Sequence, residues 1–107
     1  METVSNRFLR YVAFDTQSDE ASESCPSTEK QKLLGQQLVT EMRTMGIEDA
    51  HMDASGYVYG SVPGDPDLPV IGLISHMDTA PDSSGANIKA RIVSYDGGDI
   101  LLNEAEK

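Results

Sequence analysis

At 107 residues the chain has room for one domain at most, and a domain of that size can bury a real core. A net charge of −10 disfavours nucleic acid and anionic membranes as partners, since both are held through clustered Lys and Arg. With 38% hydrophobic residues, four Tyr, two Phe and no Trp, the expected core is adequate rather than generous.

Val4, Phe8 and Val12 recur at helical spacing and predict an amphipathic helix over residues 4–14. A long polar loop follows over residues 15–26, and a connection of that length suggests function or motion. It contains Cys25, the only cysteine, so no internal disulfide is possible and a reducing cytoplasm is expected. Nothing in the sequence gives that thiol the base a nucleophile needs, and the expected reading of Cys25 is an inert surface residue.

The second helix carries the clearer signals. Thr28 is its expected N-cap, Gln31 completes a capping box, and Glu29 sits favourably in the first turn. Leu34, Leu38, Met42 and Met45 line one face as core residues. Gly46 then supplies the left-handed stop, with Ile47 after it. Beyond it, residues 50–62 read as strand, a Ser55-Gly56 turn, and a second strand over residues 57–62. Residues 63–67 form a surface loop.

Residues 70–75, Val-Ile-Gly-Leu-Ile-Ser, are an apolar run between Pro69 and Pro81. They predict a strand buried on both faces. Such strands belong to sheets covered by helices, whose ligands gather at the strands' carboxyl ends. His76 and Asp78 stand at that end. An imidazole can ligate a metal while a carboxylate two residues on orients it. A catalytic metal site usually takes about three protein ligands, so this pair alone does not complete one. On spacing alone a hydrogen-bonded structural histidine remains the favoured reading of His76. His51-Met52-Asp53 repeats the tripeptide without the apolar run, and His51 is expected to be a solvated residue on the first hairpin strand.

Residues 88–94 alternate as a half-exposed strand does. Asp96-Gly97-Gly98-Asp99 is a turn, and Ile100-Leu101-Leu102 is a last short apolar run. Acidic knots at residues 19–23 and 104–106 read as solvated surface. The N-terminus has no signal-peptide pattern, and no apolar run approaches membrane-spanning length, so a soluble cytoplasmic protein is expected. No convincing helix follows His76. The expected fold class is α/β, an incomplete helix-covered mixed sheet with a β-hairpin and two N-terminal helices.

Several segments together resemble one family along essentially the whole chain. They are Phe8-Leu9-Arg10-Tyr11-Val12, Asp15-Thr16-Gln17-Ser18, Pro26-Ser27-Thr28-Glu29, Glu41-Met42 to Gly46, Ser75 to Asp82, and Tyr95 to Ile100. The chain is similar to the N-terminal portion of the peptidase T family. These are tripeptide aminopeptidases among the dinuclear-zinc metallopeptidases related to carboxypeptidase G2 and the acetylornithine deacetylases. The wider superfamily shares only the apolar strand ending in His-x-Asp, whereas Asp15-Thr16-Gln17-Ser18 and Thr79-x-Pro81-Asp82 point to peptidase T.

The resemblance implies that residues 1–107 are the N-terminal portion of a single zinc-exopeptidase catalytic domain. The rest of that domain and a lid domain would lie outside this chain. It implies that His76 ligates one of two zinc ions, and that Asp78 is a catalytic carboxylate bracing His76 and tuning the metal-bound water. The remaining ligands and a Glu general base would lie past Lys107. The implied substrate is a short peptide cleaved at its free N-terminus, and the 107 residues alone are expected to be inactive. A fragment of this kind is expected to self-associate through exposed sheet surfaces. Two alternatives stay open: a complete, non-catalytic α+β binding domain, and another dinuclear-zinc amidohydrolase such as a deacylase or carboxypeptidase.

Overall fold

The computed structural model describes residues 2–101. Helix α1 spans Val4–Tyr11 and helix α2 spans Gln31–Thr44. Strands β1 (His51–Met52) and β2 (Val58–Tyr59) form an antiparallel hairpin, pairing His51 with Tyr59 and Met52 with Val58. The architecture is α/β in composition and incomplete as a layer: among the described residues α2 alone stands against a two-stranded sheet, and α1 docks on α2.

Thr3 caps α1, its hydroxyl accepting the Asn6 N–H at 3.2 Å. The helix ends at Tyr11 rather than Phe14, because the 12–14 backbone tightens into turns closed on the Arg10 and Tyr11 carbonyls. Its docking to α2 is polar. Glu41 on α2 accepts from Arg7 Nε at 3.0 Å, from Arg10 and from the Tyr11 hydroxyl, and its side chain is only 11% exposed. Of the apolar residues of α1, Val4 and Phe8 remain exposed and Leu9 is half-buried.

The expected capping box at Thr28 is replaced by a different arrangement. Residues 28–33 make a tight turn with i→i+3 bonds before the regular helix begins at Gln31, and Lys30 occupies the cap position without a side-chain cap. The Thr28 hydroxyl donates instead to the Gln17 carbonyl at 2.8 Å and accepts from Gln31 Nε2 at 3.0 Å. At the other end the stop is as the sequence predicts. Gly46, at φ +94°, donates to the Arg43 carbonyl, and Ile47 donates to the Met42 carbonyl, both at 3.0 Å. That pair of bonds is the Schellman arrangement, and a residue with a Cβ would be strained in the left-handed conformation it needs.

The core lies between α2 and the hairpin, where Leu34 and Ala50 are the buried apolar residues among those described. Arg43 Nε ties the helix to the hairpin's entry by donating to the Ala50 carbonyl at 2.9 Å. Leu38 and Met42 are half-buried, while Met45 at the end of the face is exposed.

Beyond the hairpin the expectation of further strands fails. Residues 70–75 form no strand, and Val70 is 98%, Leu73 94% and Ile74 100% exposed. Residues 88–94 likewise form no strand, with Ile92 and Val93 exposed. The physical reason is that a strand, unlike a helix, satisfies its backbone groups only through a neighbour, and the described residues bring no pairing strand to either segment. The second hairpin strand is short for the same reason, since the outer edge of β2 is unpaired. The radius of gyration is accordingly 17.3 Å, against about 13 Å for a packed domain of 100 residues. The turn at Gly97-Gly98 forms as expected, closed by the Tyr95 hydroxyl donating to the Gly98 carbonyl at 2.8 Å. Leu102 and the acidic knot at 104–106 lie outside the described residues.

Candidate metal centre

His76 and Asp78 are brought together by their own local backbone. The His76 Nδ1 lies 2.9 Å from the Asp78 carbonyl oxygen and 3.1 Å from Asp78 Oδ1. Both neighbours are acceptors, so Nδ1 carries the hydrogen and donates. In the neutral ring the lone pair then sits on Nε2. The His76 side chain is 84% exposed and that of Asp78 41% exposed, so Nε2 is open to a ligand. A histidine with one nitrogen engaged by a carbonyl and a carboxylate, and the other free, has the donor chemistry of a metal ligand with its supporting shell. His76 and Asp78 therefore fit a zinc ion as one ligand and its brace. No group of three or more His, Cys, Asp or Glu among the described residues could hold the ion by itself.

The other repeat of the tripeptide is built differently. His51 lies in β1, stacked on Tyr59 with ring centroids 5.3 Å apart, and its Nδ1 meets the Asp49 carbonyl at 2.8 Å. Asp53 turns away from His51 to close the hairpin, accepting the Tyr57 N–H at 2.9 Å. Cys25 is exposed, with the Ser55 carbonyl and Tyr57 hydroxyl as its nearest polar neighbours at 3.9 and 4.0 Å.

The long loop after α1 is the surprise of the site. Residues 16–18 run beside Thr79 in a parallel bridge centred on Gln17. Thr79 N–H donates to the Thr16 carbonyl at 3.1 Å, and the Thr79 carbonyl accepts from the Ser18 N–H at 2.9 Å and the Ser18 hydroxyl at 3.0 Å. The Gln17 amide Nε2 donates to the Pro81 and Ser83 carbonyls at 2.9 and 3.0 Å. Thr16 is 3% exposed. Asp15 pairs with Lys30 at 2.8 Å, and that ammonium together with the Gln17 N–H holds its carboxyl below the usual carboxylate range. Gly85 passes so close that a Cβ there would lie 2.8 Å from Asp15 Oδ1. The segment carrying His76 and Asp78 is thus stitched to the start of α2 through residues 15–18. Sequence reasoning assigned these residues no role in the site; the length of the loop and the family likeness of Asp15-Thr16-Gln17-Ser18 were the signals that pointed to them.

No family model matches the chain. Curated relatives do. Over 106 residues it is 51% identical to Peptidase T of Bacillus pumilus (strain SAFR-032), a match covering 96% of this chain and 26% of the relative. It is 53% identical over 106 residues to Peptidase T of Desulfitobacterium hafniense (strain Y51), with the same two shares. Peptidase T of Clostridium acetobutylicum is 50% identical over 107 residues, covering 97% of this chain and 26% of the relative. The chain spans about a quarter of the length of the curated relatives it matches. At this identity, continuous over nearly every residue, the chain is similar to an N-terminal segment of peptidase T.

Proposed function

We propose that this chain is a metal-ligand-bearing N-terminal portion of a zinc-dependent aminopeptidase that releases the N-terminal residue of tripeptides in the cytoplasm. In this reading His76 is a zinc ligand through Nε2 and Asp78 is its catalytic brace. The observation that carries it is the His76 ring, whose Nδ1–H is held by the Asp78 carbonyl and carboxylate while Nε2 faces outward. The similarity to peptidase T supports the peptide substrate, and the exposed single thiol of Cys25 suits a reducing compartment.

When bound, zinc supplies Lewis acidity toward a peptide carbonyl and toward water. This chain's own contribution is orientation. Asp78 fixes the ring's tautomer and angle through its carbonyl and carboxylate. Among the described residues one ligand is supplied where about three are usual, so in this reading the 107 residues are inactive alone. The catalytic domain is finished by chain beyond them. The exposed apolar residues 70–74 support that reading, because a contiguous exposed apolar run marks a surface that other residues cover. The same exposure and the expanded radius weigh against a complete binding domain.

The test is a zinc titration followed at the His76 imidazole by nuclear magnetic resonance, beside a tripeptide hydrolysis assay. Zinc is expected to perturb His76 at Nε2 and to leave His51 unchanged, with hydrolysis at the level of a His76→Ala control. A titration that leaves His76 untouched overturns the ligand assignment. Tripeptide cleavage above the control overturns the inactivity of the isolated chain.

A further inference from the structure

The Asp78–Thr79 peptide unit is held on both sides. Its carbonyl receives the His76 Nδ1–H at 2.9 Å, and its N–H donates to the buried Thr16 carbonyl at 3.1 Å. A peptide unit is planar and stiff, so anchoring the N–H sets the direction in which the carbonyl points. The anchor is itself secured. Ser18 holds the next carbonyl along, that of Thr79, through both its N–H and its hydroxyl. Gln17 spans 64 and 66 residues of sequence to hold the Pro81 and Ser83 carbonyls. Thr28, at the entrance to α2, donates to the Gln17 carbonyl and fixes that backbone from behind. His76 has no other hydrogen-bonding partner besides Asp78 among the described residues, so this one peptide unit and the Asp78 carboxylate decide how the ring is presented.

We propose that residues 16–18 are a positioning device for the His76 imidazole, acting through the Asp78–Thr79 peptide unit, with Gln17 as the side chain that locks it. The proposal deepens the reading of His76 as a metal ligand and rests on it for its purpose, but its geometry stands without a metal. Gln17 is a positioning residue and touches neither the ring nor the position of the ion. Two N–H donors on one amide, aimed at the Pro81 and Ser83 carbonyls, keep the 79–83 loop from swinging away, and with it the carbonyl that selects the His76 tautomer. Removing the two donors while keeping the side chain's length, as in Gln17→Met, leaves two carbonyls unanswered and frees the loop.

The experiment uses the ¹⁵N-labelled 107-residue chain at about pH 8, above the ordinary imidazole range. In the unaltered protein the His76 ring is expected to show the Nδ1–H tautomer. The Thr79 amide is expected to exchange with solvent about tenfold or more slowly than amides of residues 70–74. In Gln17→Met, Thr79 exchange should rise about tenfold and the His76 ring should relax toward a mixture of tautomers. His51, whose Nδ1 is held by Asp49 in the hairpin, should not change. A merely structural loss would move both rings and the Leu34 amide in α2. Ser18→Ala, which keeps the backbone bridge and loses one hydroxyl, should shift His76 in the same direction by less. If Gln17→Met fails to fold, that variant and the unaltered protein decide the matter.

Thr79 exchange as fast as that of residues 70–74 in the unaltered protein overturns the proposal, as does an unchanged His76 ring in both variants. Addition of zinc chloride separates this from the metal assignment. Equal zinc response of His76 with an unchanged ring in Gln17→Met sinks the positioning role and leaves the ligand role standing. No zinc response with a ring that still answers to Gln17 does the reverse.

Discussion

Residues 2–60 and residues 61–101 are of comparable apolar character, yet they end in opposite states. The first stretch packs α2 against a hairpin around Leu34 and Ala50 and pins α1 by ion pairs to Glu41. The second presents Val70, Leu73 and Ile74 almost wholly to solvent and touches the first chiefly through Thr79, Pro81, Ser83 and Gly85. The difference does not lie in hydrophobicity. Helices close their own backbone hydrogen bonds and settle once one face is packed or paired. A central strand must have partners on each side before its side chains count for anything.

The sharpest way to break the comparison is in the core of the first stretch. Leu34→Ala should cost about 2–4 kcal/mol, the range for opening a cavity under a buried leucine. It should abolish amide protection through residues 31–59 while leaving spectra of residues 86–101 unaltered. Next comes the seam between the stretches. Gly85→Ala places a methyl 2.8 Å from Asp15 Oδ1 and should cost about 1–3 kcal/mol by overpacking. Its signature is lost protection at Ser18 and Thr79 with the α2–hairpin core intact.

The polar docking of α1 offers a smaller effect with two edges in pH. The Tyr11 hydroxyl, followed by Arg10 and Arg7, holds the Glu41 carboxyl below the usual range. A depressed carboxylate contributes stability above its unfolded value, about 4, and that contribution is lost as pH falls through the folded value. Tyr11 is pushed up to about 12 by burial and by the Glu41 carboxylate it donates to. Its contribution is complete below the unfolded value, about 10, and is lost as pH rises through 12. Undocking of α1, followed at the Arg7 and Arg10 side-chain signals, should therefore occur at both extremes and not between them. Glu41→Gln should weaken docking by about 1 kcal/mol at neutral pH and remove the acid edge.

The smallest effect belongs to the exposed run. Ile74→Ser should change the stability of the chain by less than about 0.5 kcal/mol, as expected of a fully exposed side chain. The same substitution should lower any self-association seen by sedimentation, since it interrupts the apolar stripe. A loss of stability comparable to that of Leu34→Ala would mean that residues 70–75 are packed in solution.

What could be read from the sequence was local. The second helix and its Gly46 stop, the Ser55-Gly56 and Gly97-Gly98 turns, and the pairing of His76 with Asp78 all depend on residues within a few positions of one another. Their spacing carried the signal. The wrong expectations were those whose outcome depends on partners: the buried strand at 70–75, the half-exposed strand at 88–94, and the helix cap at Thr28. Thr28 is instructive, because its side chain has the right chemistry for a cap and spends it on Gln17 instead. Likewise the bracing of His76 by residues 16–18 crosses about sixty positions of sequence, where no periodicity speaks. The sequence by itself determined that two segments are helical, where the second of them stops, and that an imidazole and a carboxylate stand two apart at the end of an apolar run. Only the tertiary structure decided which carbonyl that imidazole answers to and what holds it there. It also decided that the apolar run stays bare, because strand pairing and long-range hydrogen bonds are properties of two segments at once.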